Sequence, residues 1–495
     1  MTRPVSTKCT EWLAFGADPG GIYGSDGRYR SAAEISYLRG RFLCWGLDLA
    51  VGHALREGLN LRILATADDR IVRATLGRCE LVDLEAFGIK GPMSGEAGAE
   101  IGSALRAFVA RSGWRLRSSL GGIGVYDVLP GFLRRAGIPS DAAMKIRRWR
   151  EPVLSGLLMG GREFSEPGYY KKCYHYDINS AYGYQAQVLE LADVRRLRVE
   201  RPSLQSFRNY WLNKHGVAVC SVRLPEDRYG LLPIRGVEQD VDYPSGGGEF
   251  TGTWTLNELR YAVERGAEVL GVEVVLAASV GRRYLAEFAE WCYEEKLAAQ
   301  EAGDQVARTF WKQLMNSTIG RIAATGGLYE LSPVPWGTWI DRPTPPNSGL
   351  LIVGERQFQS RKIGLPGAGN RLWTAQIISG QRVRLHQALS EHGGIYAFTD
   401  SIISIRPLPL NIGPELGEWS EQGSGSVRIL GVGTYQPTWG RARARGIPAA
   451  VAGAYIAGEP VQFERRHSWK STEVLEAPEI VEVKREREPV AAVRN

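Results

Sequence analysis

Three short segments hold residue types able to do group-transfer chemistry. Asp177 ends an apolar, β-prone run in YHYDINSAYG and is followed by Asn179, Ser180 and Tyr182. Lys312, Asn316, Ser317 and Gly320 stand at helical spacing in KQLMNSTIG. Tyr396, Phe398, Thr399, Asp400 and Ser401 make up YAFTDS, which reads as a turn between two strands. Two carboxylates on adjacent strands can hold two divalent ions about 3.5–4 Å apart, one activating an attacking hydroxyl and the other steadying a leaving pyrophosphate. A lysine on a helix suits a triphosphate, whose charge rises during transfer. A tyrosine just past the first aspartate is placed to pack under an incoming sugar. Taken singly, each segment is an ordinary turn or surface helix; their order and content together single them out.

The surrounding elements read as mixed α/β. RFLCWGLDLAVGHALREG is a strand running into a helix, and the stretch after it alternates as two or three strands. Residues 92–104 are small and acidic and lead into the helical EIGSALRAFVARSG. A basic stretch follows with Arg134, Arg135, Lys145, Arg147, Arg148 and Arg150, then the glycine pair Gly160-Gly161 in LLMGGREF. TWTLNELRYAVERG predicts a helix with Thr255 as N-cap and Glu258 three residues on, a capping-box pattern. Residues 282–302 and 304–319 predict a helical hairpin broken by Gly303, with Lys296 and Lys312 able to reach one face. Residues 331–349 hold five prolines and predict an irregular excursion. Residues 371–390 predict a further helix, and 411–450 strand and turn with alternating Arg441, Arg443 and Arg445. The charged end, VEVKREREPVAAVRN, predicts fraying.

Composition narrows the setting. The 495 residues suffice for about three domains. Hydrophobic residues at 44% and charged residues at 23% exclude a disordered or fibrous chain. The net charge of +7 permits a nucleic-acid partner without demanding one, and 11 of the 61 basic residues are lysine, leaving a bias towards arginine. Six scattered cysteines form no Cys-x-x-Cys unit, against a zinc ribbon or disulfide framework. The start MTRPVSTKCTEW has no signal-type apolar run and no long apolar stretch follows, so a cytoplasmic protein without membrane contact is expected.

The three segments resemble motifs A, B and C of family B DNA polymerases, DxxSxYP, KxxxNSxYG and YxDTDS. LLMGGRE resembles the YxGG-type connector between exonuclease and polymerase domains, and GTYQPTWGRARARGI resembles the KxY region with its following basic-Gly element, here Tyr435 and Arg445-Gly446. The resemblance covers residues 155–450 and is weaker before that. It implies Asp177 and Asp400 as ligands of two Mg²⁺ or Mn²⁺ ions, Tyr182 as a steric gate against a ribose 2′-hydroxyl, and Ser180 beside the triphosphate. Lys312 would bind nucleotide phosphates, with Lys296 a counterpart on the first helix, and Asn316 and Gly320 would shape the floor under the nascent base pair. Gly160, Gly161, Thr399, Tyr435, Arg441, Arg443 and Arg445 would face DNA. The departures are Phe398 for the first aspartate of motif C, Ile319 for the motif B tyrosine, Gly183 for the motif A proline and Gly433 for the lysine of KxY.

The fold implied is α/β and α+β multidomain: an RNase H-like, exonuclease-type N-terminal domain followed by a right-hand polymerase with palm, fingers and a small thumb. The expected division is 1–150 exonuclease-like; 151–280 first palm part with motif A and an insertion; 281–322 fingers; 323–448 second palm part with the Pro-rich insertion; and 449–495 thumb and tail. The first strand lacks an Asp-x-Glu pair, leaving Asp48, Asp83 and Glu100 as remnants of an exonuclease site without proofreading. Shortness resembles the protein-primed branch of phages and linear plasmids. The expected function is therefore template-directed DNA synthesis from a primer or protein hydroxyl, with primer-template DNA, dNTPs and a terminal protein or other replication protein as partners. The alternatives are a catalytically weakened nucleic-acid-binding module and a lesion-bypass or primer-independent polymerase.

Overall fold

The computed structural model describes residues 13–18, 21–45, 47–57, 59, 61–67, 70–84, 94–114, 123–138, 154, 156–236, 241–323, 328–334, 350–353, 356–364, 370–465, 479–483 and 493–494. The chain divides into two units. One comprises Met1–Pro130, Glu294–Gly367 and Glu464–Ile480; the other comprises Gly131–Tyr293, Ala368–Phe463 and Val481–Asn495.

The first unit is built on a ten-stranded sheet. Its order is Leu350–Val353, Arg356–Gly364, Leu328–Val334, Leu61–Ala67, Arg70–Leu76, Cys79–Asp83, Gly40–Trp45, Phe15–Asp18, Gly21–Gly24 and Tyr29–Arg30. Gly40–Trp45 runs parallel to both of its neighbours, and the other pairings are antiparallel. Apolar side chains including Phe15, Phe42, Leu47, Val51 and Leu81 form its core. The small residues at 92–104 have a packing reason: a Cβ on Gly16 would lie 1.8 Å from the Gly95 carbonyl oxygen, so helix Gly95–Arg111 meets the first strand backbone to backbone. The strand, helix and three-strand readings of residues 40–111 agree with these elements.

Helices Ala286–Glu301 and Gln305–Ala323 form the expected hairpin, with Gly303 at a left-handed φ of 72° and the Asp304 carboxylate accepting from Ala307 N–H at 2.9 Å. Within the first unit, Phe310 and Trp311 of the second helix meet Phe108 and Trp114. The Phe108–Phe310 ring centroids are 4.5 Å apart edge to face, and Trp114 stacks on Phe310 at 6.0 Å. The expected irregular excursion is partly strand, since Leu328–Val334 reaches into it and pairs with Leu61–Ala67; residues 335–349 lie outside the described residues.

The second unit holds a sheet ordered Thr434–Pro437, Trp419–Gly431, Gly168–Ile178, Ser401–Ser404, Tyr396–Phe398 and Glu163–Ser165. All of these neighbours are antiparallel. Each face buries its own cluster. On one, Tyr176, Ile178 and Ile402 pack against Leu385 and Leu389 of helix Arg371–His392; the other has Tyr170, Cys173, Tyr396, Val427 and Tyr435. Between motifs A and B lies a second sheet ordered Arg198–Glu200, Glu268–Ala278, His215–Leu224 and Gly248–Thr255, closed by helix Leu256–Glu264 around Trp254 and Phe207.

Two local expectations are corrected. Thr255 is the N-cap residue, but its hydroxyl donates to Ser379 Oγ at 2.7 Å and caps nothing, while Glu258 turns to Arg382; tertiary partners displace the capping box. The charged C-terminal end is not simply frayed, because Glu479–Val483 and Val493–Arg494 are strands, the latter parallel to Gly168–Ile178 with Val493 opposite Tyr169. Among the described residues, no helix is long and apolar enough to cross a membrane.

Candidate functional site

Near the end of strand Gly168–Ile178, Asp177 is partly exposed between buried Tyr176 and Ile178 and sits in register with Ser401 on one side and Ser420 on the other. Asp177 and Asp400 are thereby brought to the same end of the sheet, and Ile178 N–H donates to the Asp400 carbonyl at 2.9 Å. The chain then turns on Asn179, whose N–H donates to the Glu418 carbonyl and whose amide nitrogen donates to the Gly413 carbonyl, at 2.9 and 2.8 Å. Ser180 follows in the left-handed region, φ 50° and ψ 53°, and starts helix Ala181–Val188 without capping it; its buried Oγ has no hydrogen-bond partner. Tyr182 is half-buried on that helix. Burial and, after it, the Asp400 carboxylate push its phenol up to about 12, against the opposing pull of Arg382. The hydroxyl is neutral at physiological pH.

Asp400 sits in the two-residue turn between Tyr396–Phe398 and Ser401–Ser404. Its neighbour Thr399 is left-handed at φ 59°; Ser180 and Thr399 are the non-glycine residues of positive φ among the described residues. Backbone strain of this kind costs on the order of 1–3 kcal/mol and persists where the surroundings over-determine it. Thr399 N–H donates to the Arg162 carbonyl at 2.8 Å, Gln381 Nε2 donates to the Thr399 carbonyl at 3.4 Å, and Asp400 N–H donates to the Phe398 carbonyl at 2.6 Å. A Cβ on Gly161 would come within 2.9 Å of Thr399 Cα, so glycine is required where the connector passes under the turn. Gly160, by contrast, has nothing within 4 Å of such a Cβ.

Phe398 faces Glu163 across the sheet and packs beside the cluster containing Tyr435. Glu163 accepts from Arg445 at 3.3 Å. Tyr435 is buried, its ring 4.9 Å from that of Tyr396, and it exchanges main-chain hydrogen bonds with Arg443. A cleft of about 370 Å³ opens here, lined among others by Phe398, Ser401, Tyr435, Arg443 and Arg445. Arg441, Arg443 and Arg445 are exposed. Beneath them, His175 is held neutral, its pKa lowered to about 4 by burial and by Arg443.

The motif B residues lie in the other unit. Lys312 and Gly320 are exposed and Asn316 half-buried on helix Gln305–Ala323, at spacings that keep all three on one side. Lys296 is 9% exposed. Burial, then the charges of Lys312 and Arg308, lower its pKa to about 8. The two lysines are therefore neighbours, as their spacing from Gly303 leads one to expect. Of the remnant acids, Asp83 is 4% exposed at the end of Cys79–Asp83 and Glu100 is exposed on helix Gly95–Arg111; the side chain of Asp48, on helix Leu47–Arg56, lies outside the described residues. Among the described residues no group of three or more His, Cys, Asp or Glu is placed to hold a metal.

Sequence reasoning missed the buried support of this site. Arg162 and Arg382, 1% and 2% exposed, hold the segment carrying Gly160-Gly161, and Glu258 pairs with Arg382. The signal available was arginine inside otherwise apolar helical spacing at Arg382, and arginine directly after a glycine pair at Arg162.

Comparison with known proteins follows the same lines. Residues 157–326 match the family model described as DNA polymerase type B, organellar and viral. No curated protein matches the chain. Three solved structures similar in fold are of Phi29 DNA polymerase. The complex with primer-template DNA and incoming nucleotide has TM-score 0.64 at 13% identity, covering 94% of each chain. The binary complex with primer-template DNA has 0.63 at 13%, covering 95% of this chain and 98% of the other. The complex with single-stranded DNA has 0.61 at 14%, covering 92% and 95%. The chain thus folds as a multidomain α/β and α+β protein of the Phi29-type architecture.

Proposed function

We propose that this chain is a template-directed DNA polymerase that extends a primer or protein hydroxyl with dNTPs. The observation that carries the reading is that the strand ending in Asp177 pairs with the strand leaving the Asp400 turn, Asp177 opposite Ser401, with Ile178 N–H on the Asp400 carbonyl and the Tyr182 phenol influenced by Asp400. The matched polymerase family model and the fold shared with a polymerase solved with primer-template and nucleotide support it.

The donor set suits hard cations: two carboxylates and main-chain carbonyls, with no thiolate in either turn. Asp177 and Asp400 would hold the ions, which when bound supply Lewis acidity and an activated hydroxyl. The chain's own groups do the rest. Tyr182, kept neutral and half-buried, presents its ring to the sugar and excludes a 2′-hydroxyl. Lys312 and Lys296 bind the nucleotide phosphates, and Asn316 and Gly320 line the base pair. Arg441 and Arg443 contact DNA phosphate without reading sequence, while Arg445 does so in competition with Glu163.

In this reading the finer division is an RNase H-like N-terminal domain, a palm split around a fingers hairpin, and a small thumb. The strand order of the first unit supports its N-terminal part: three antiparallel strands, Tyr29–Arg30, Gly21–Gly24 and Phe15–Asp18, are continued by two parallel ones, Gly40–Trp45 and Cys79–Asp83. With no acid pair on Phe15–Asp18, that domain serves as scaffold and does not proofread. A terminal protein is the priming partner that this architecture suggests.

Primer extension with Mg²⁺ or Mn²⁺ tests the reading. The wild type extends a primed template and Asp400→Ala falls by at least about a hundredfold; equal extension by both proteins overturns the assignment. The second reading, a DNA-binding module without catalysis, is favoured by Phe398 in place of an acid. Tight primer-template binding without extension under either metal would select it.

A further inference from the structure

We propose that the buried Glu258–Arg382 ion pair is a positioning device for the Asp400 turn, acting through the connector Met159–Arg162 and touching no substrate. The inference rests on the polymerase reading and deepens it.

The connector belongs to no sheet, yet each of its four carbonyls is held from outside. Arg382 Nη1 donates to the carbonyls of Met159 and Gly160, both at 3.0 Å. Tyr243 Oη donates to the Gly161 carbonyl at 3.3 Å, and Thr399 N–H to that of Arg162 at 2.8 Å. The Arg162 guanidinium anchors the far side, donating to the carbonyls of Tyr229, Gly230 and Leu231 at 2.6, 2.5 and 3.0 Å and to that of Arg382 at 3.3 Å. Arg382 in turn is fixed by Glu258, whose two carboxylate oxygens each accept at 2.7 Å. Gln381, next to Arg382 on the same helix, reaches the Thr399 carbonyl.

The strained turn is therefore gripped twice, at its N–H by the connector and at its carbonyl by the helix that carries Arg382. Gly161 sets the spacing between connector and turn. A bidentate guanidinium with one nitrogen left for two carbonyls is what lets one side chain bind both the acid and the connector.

A buried ion pair is weak evidence for stability, because well-packed apolar replacements are often neutral or stabilising. What such a replacement cannot do here is hold two carbonyls. A shift of the order of 1 Å in the reacting groups costs about 100-fold in rate, so the position of Asp400 is the property at stake.

The test uses the full chain with Glu258→Leu/Arg382→Met and, separately, Arg382→Lys, which keeps the charge but cannot span carboxylate and carbonyls together. Thermal melting, single-turnover primer extension against dNTP and Mg²⁺, and Mn²⁺ binding by electron paramagnetic resonance are measured, with Asp400→Asn as reference. The expected result is a folded double variant that still melts cooperatively, at a temperature lowered only by the two unpaired carbonyls, and dNTP KM within about twofold. The extension rate falls about 10- to 100-fold, with weaker Mn²⁺ binding and a higher Mg²⁺ requirement. Should the double variant fail to fold, Arg382→Lys decides alone. Folded variants with wild-type rate and metal dependence overturn the inference and leave the pair purely structural. A wild type that neither extends primers nor binds Mn²⁺ at Asp400 overturns the polymerase reading, and this inference with it.

Discussion

Lys296 has an environment far from its sequence appearance. In the helix AEFAEWCYEEKLAAQE it looks like a surface lysine among glutamates, yet it is buried and stands near Lys312 and Arg308. Burial and these like charges lower its pKa to about 8, so it is a cation below that pH and neutral above it. If it binds nucleotide phosphates, kcat/KM for dNTP falls as pH rises through about 8, by roughly five- to tenfold. Lys296→Arg abolishes that limb, because guanidinium stays charged. A pH profile of kcat/KM with both proteins checks this, and an identical limb in Lys296→Arg refutes it. Tyr182 shows the opposite case, a group legible from its place after Asp177 whose environment only reinforces the neutral form its phenol already has.

At the scale of elements, the Asp400 turn depends on a segment with no secondary structure of its own. The resemblance of the glycine pair Gly160-Gly161 to a YxGG-type connector implies a place that faces DNA. Within the fold the second glycine faces Thr399, where a Cβ would meet backbone at 2.9 Å. Gly161→Ala must push either the connector or the turn aside, at a cost of about 1–3 kcal/mol in overpacking. The expected outcome is a fall in primer extension of about tenfold or more with primer-template affinity changed little. Gly160→Ala, which meets nothing, is milder. Loss of DNA affinity in Gly161→Ala with an unaltered extension rate would instead place Gly161 at the DNA. The hydrogen bonds of Thr255 and Glu258 teach the same lesson, since local capping chemistry yielded to partners more than a hundred residues away.

At the scale of the molecule, the first unit joins segments far apart in the chain. The motif B helix buries Phe310 and Trp311 against Phe108 and Trp114, and strand Leu328–Val334 completes its pairing on Leu61–Ala67. The N-terminal segment is therefore a structural part of the unit that carries Lys312, whatever chemistry it retains. Removing residues 1–130 exposes that aromatic cluster and a strand edge. The truncated protein is expected to aggregate or bind a hydrophobic dye, and to lose nucleotide-dependent extension although Asp177 and Asp400 remain. Size-exclusion chromatography and a dNTP titration check it; a soluble monomer with wild-type KM would refute it.

The sequence alone determined where the candidate side chains stand within their local elements, because motif spacing follows from local geometry. Asp177 must end a strand before a helix, Lys312, Asn316 and Gly320 must share a helix side at four-residue intervals, and YAFTDS must turn. Periodicity likewise made the helical hairpin and most strands legible. Tertiary structure alone decided what holds those side chains still. The registers of Asp177 with Ser401 and Ser420, the surroundings of Lys296, and the Glu258–Arg382–connector network join residues whose separation along the chain runs from 12 to over 200 positions. Local propensity carries no information at that range. Such contacts form only when sheets and helices dock and buried polar groups must find partners in whatever chain lies opposite.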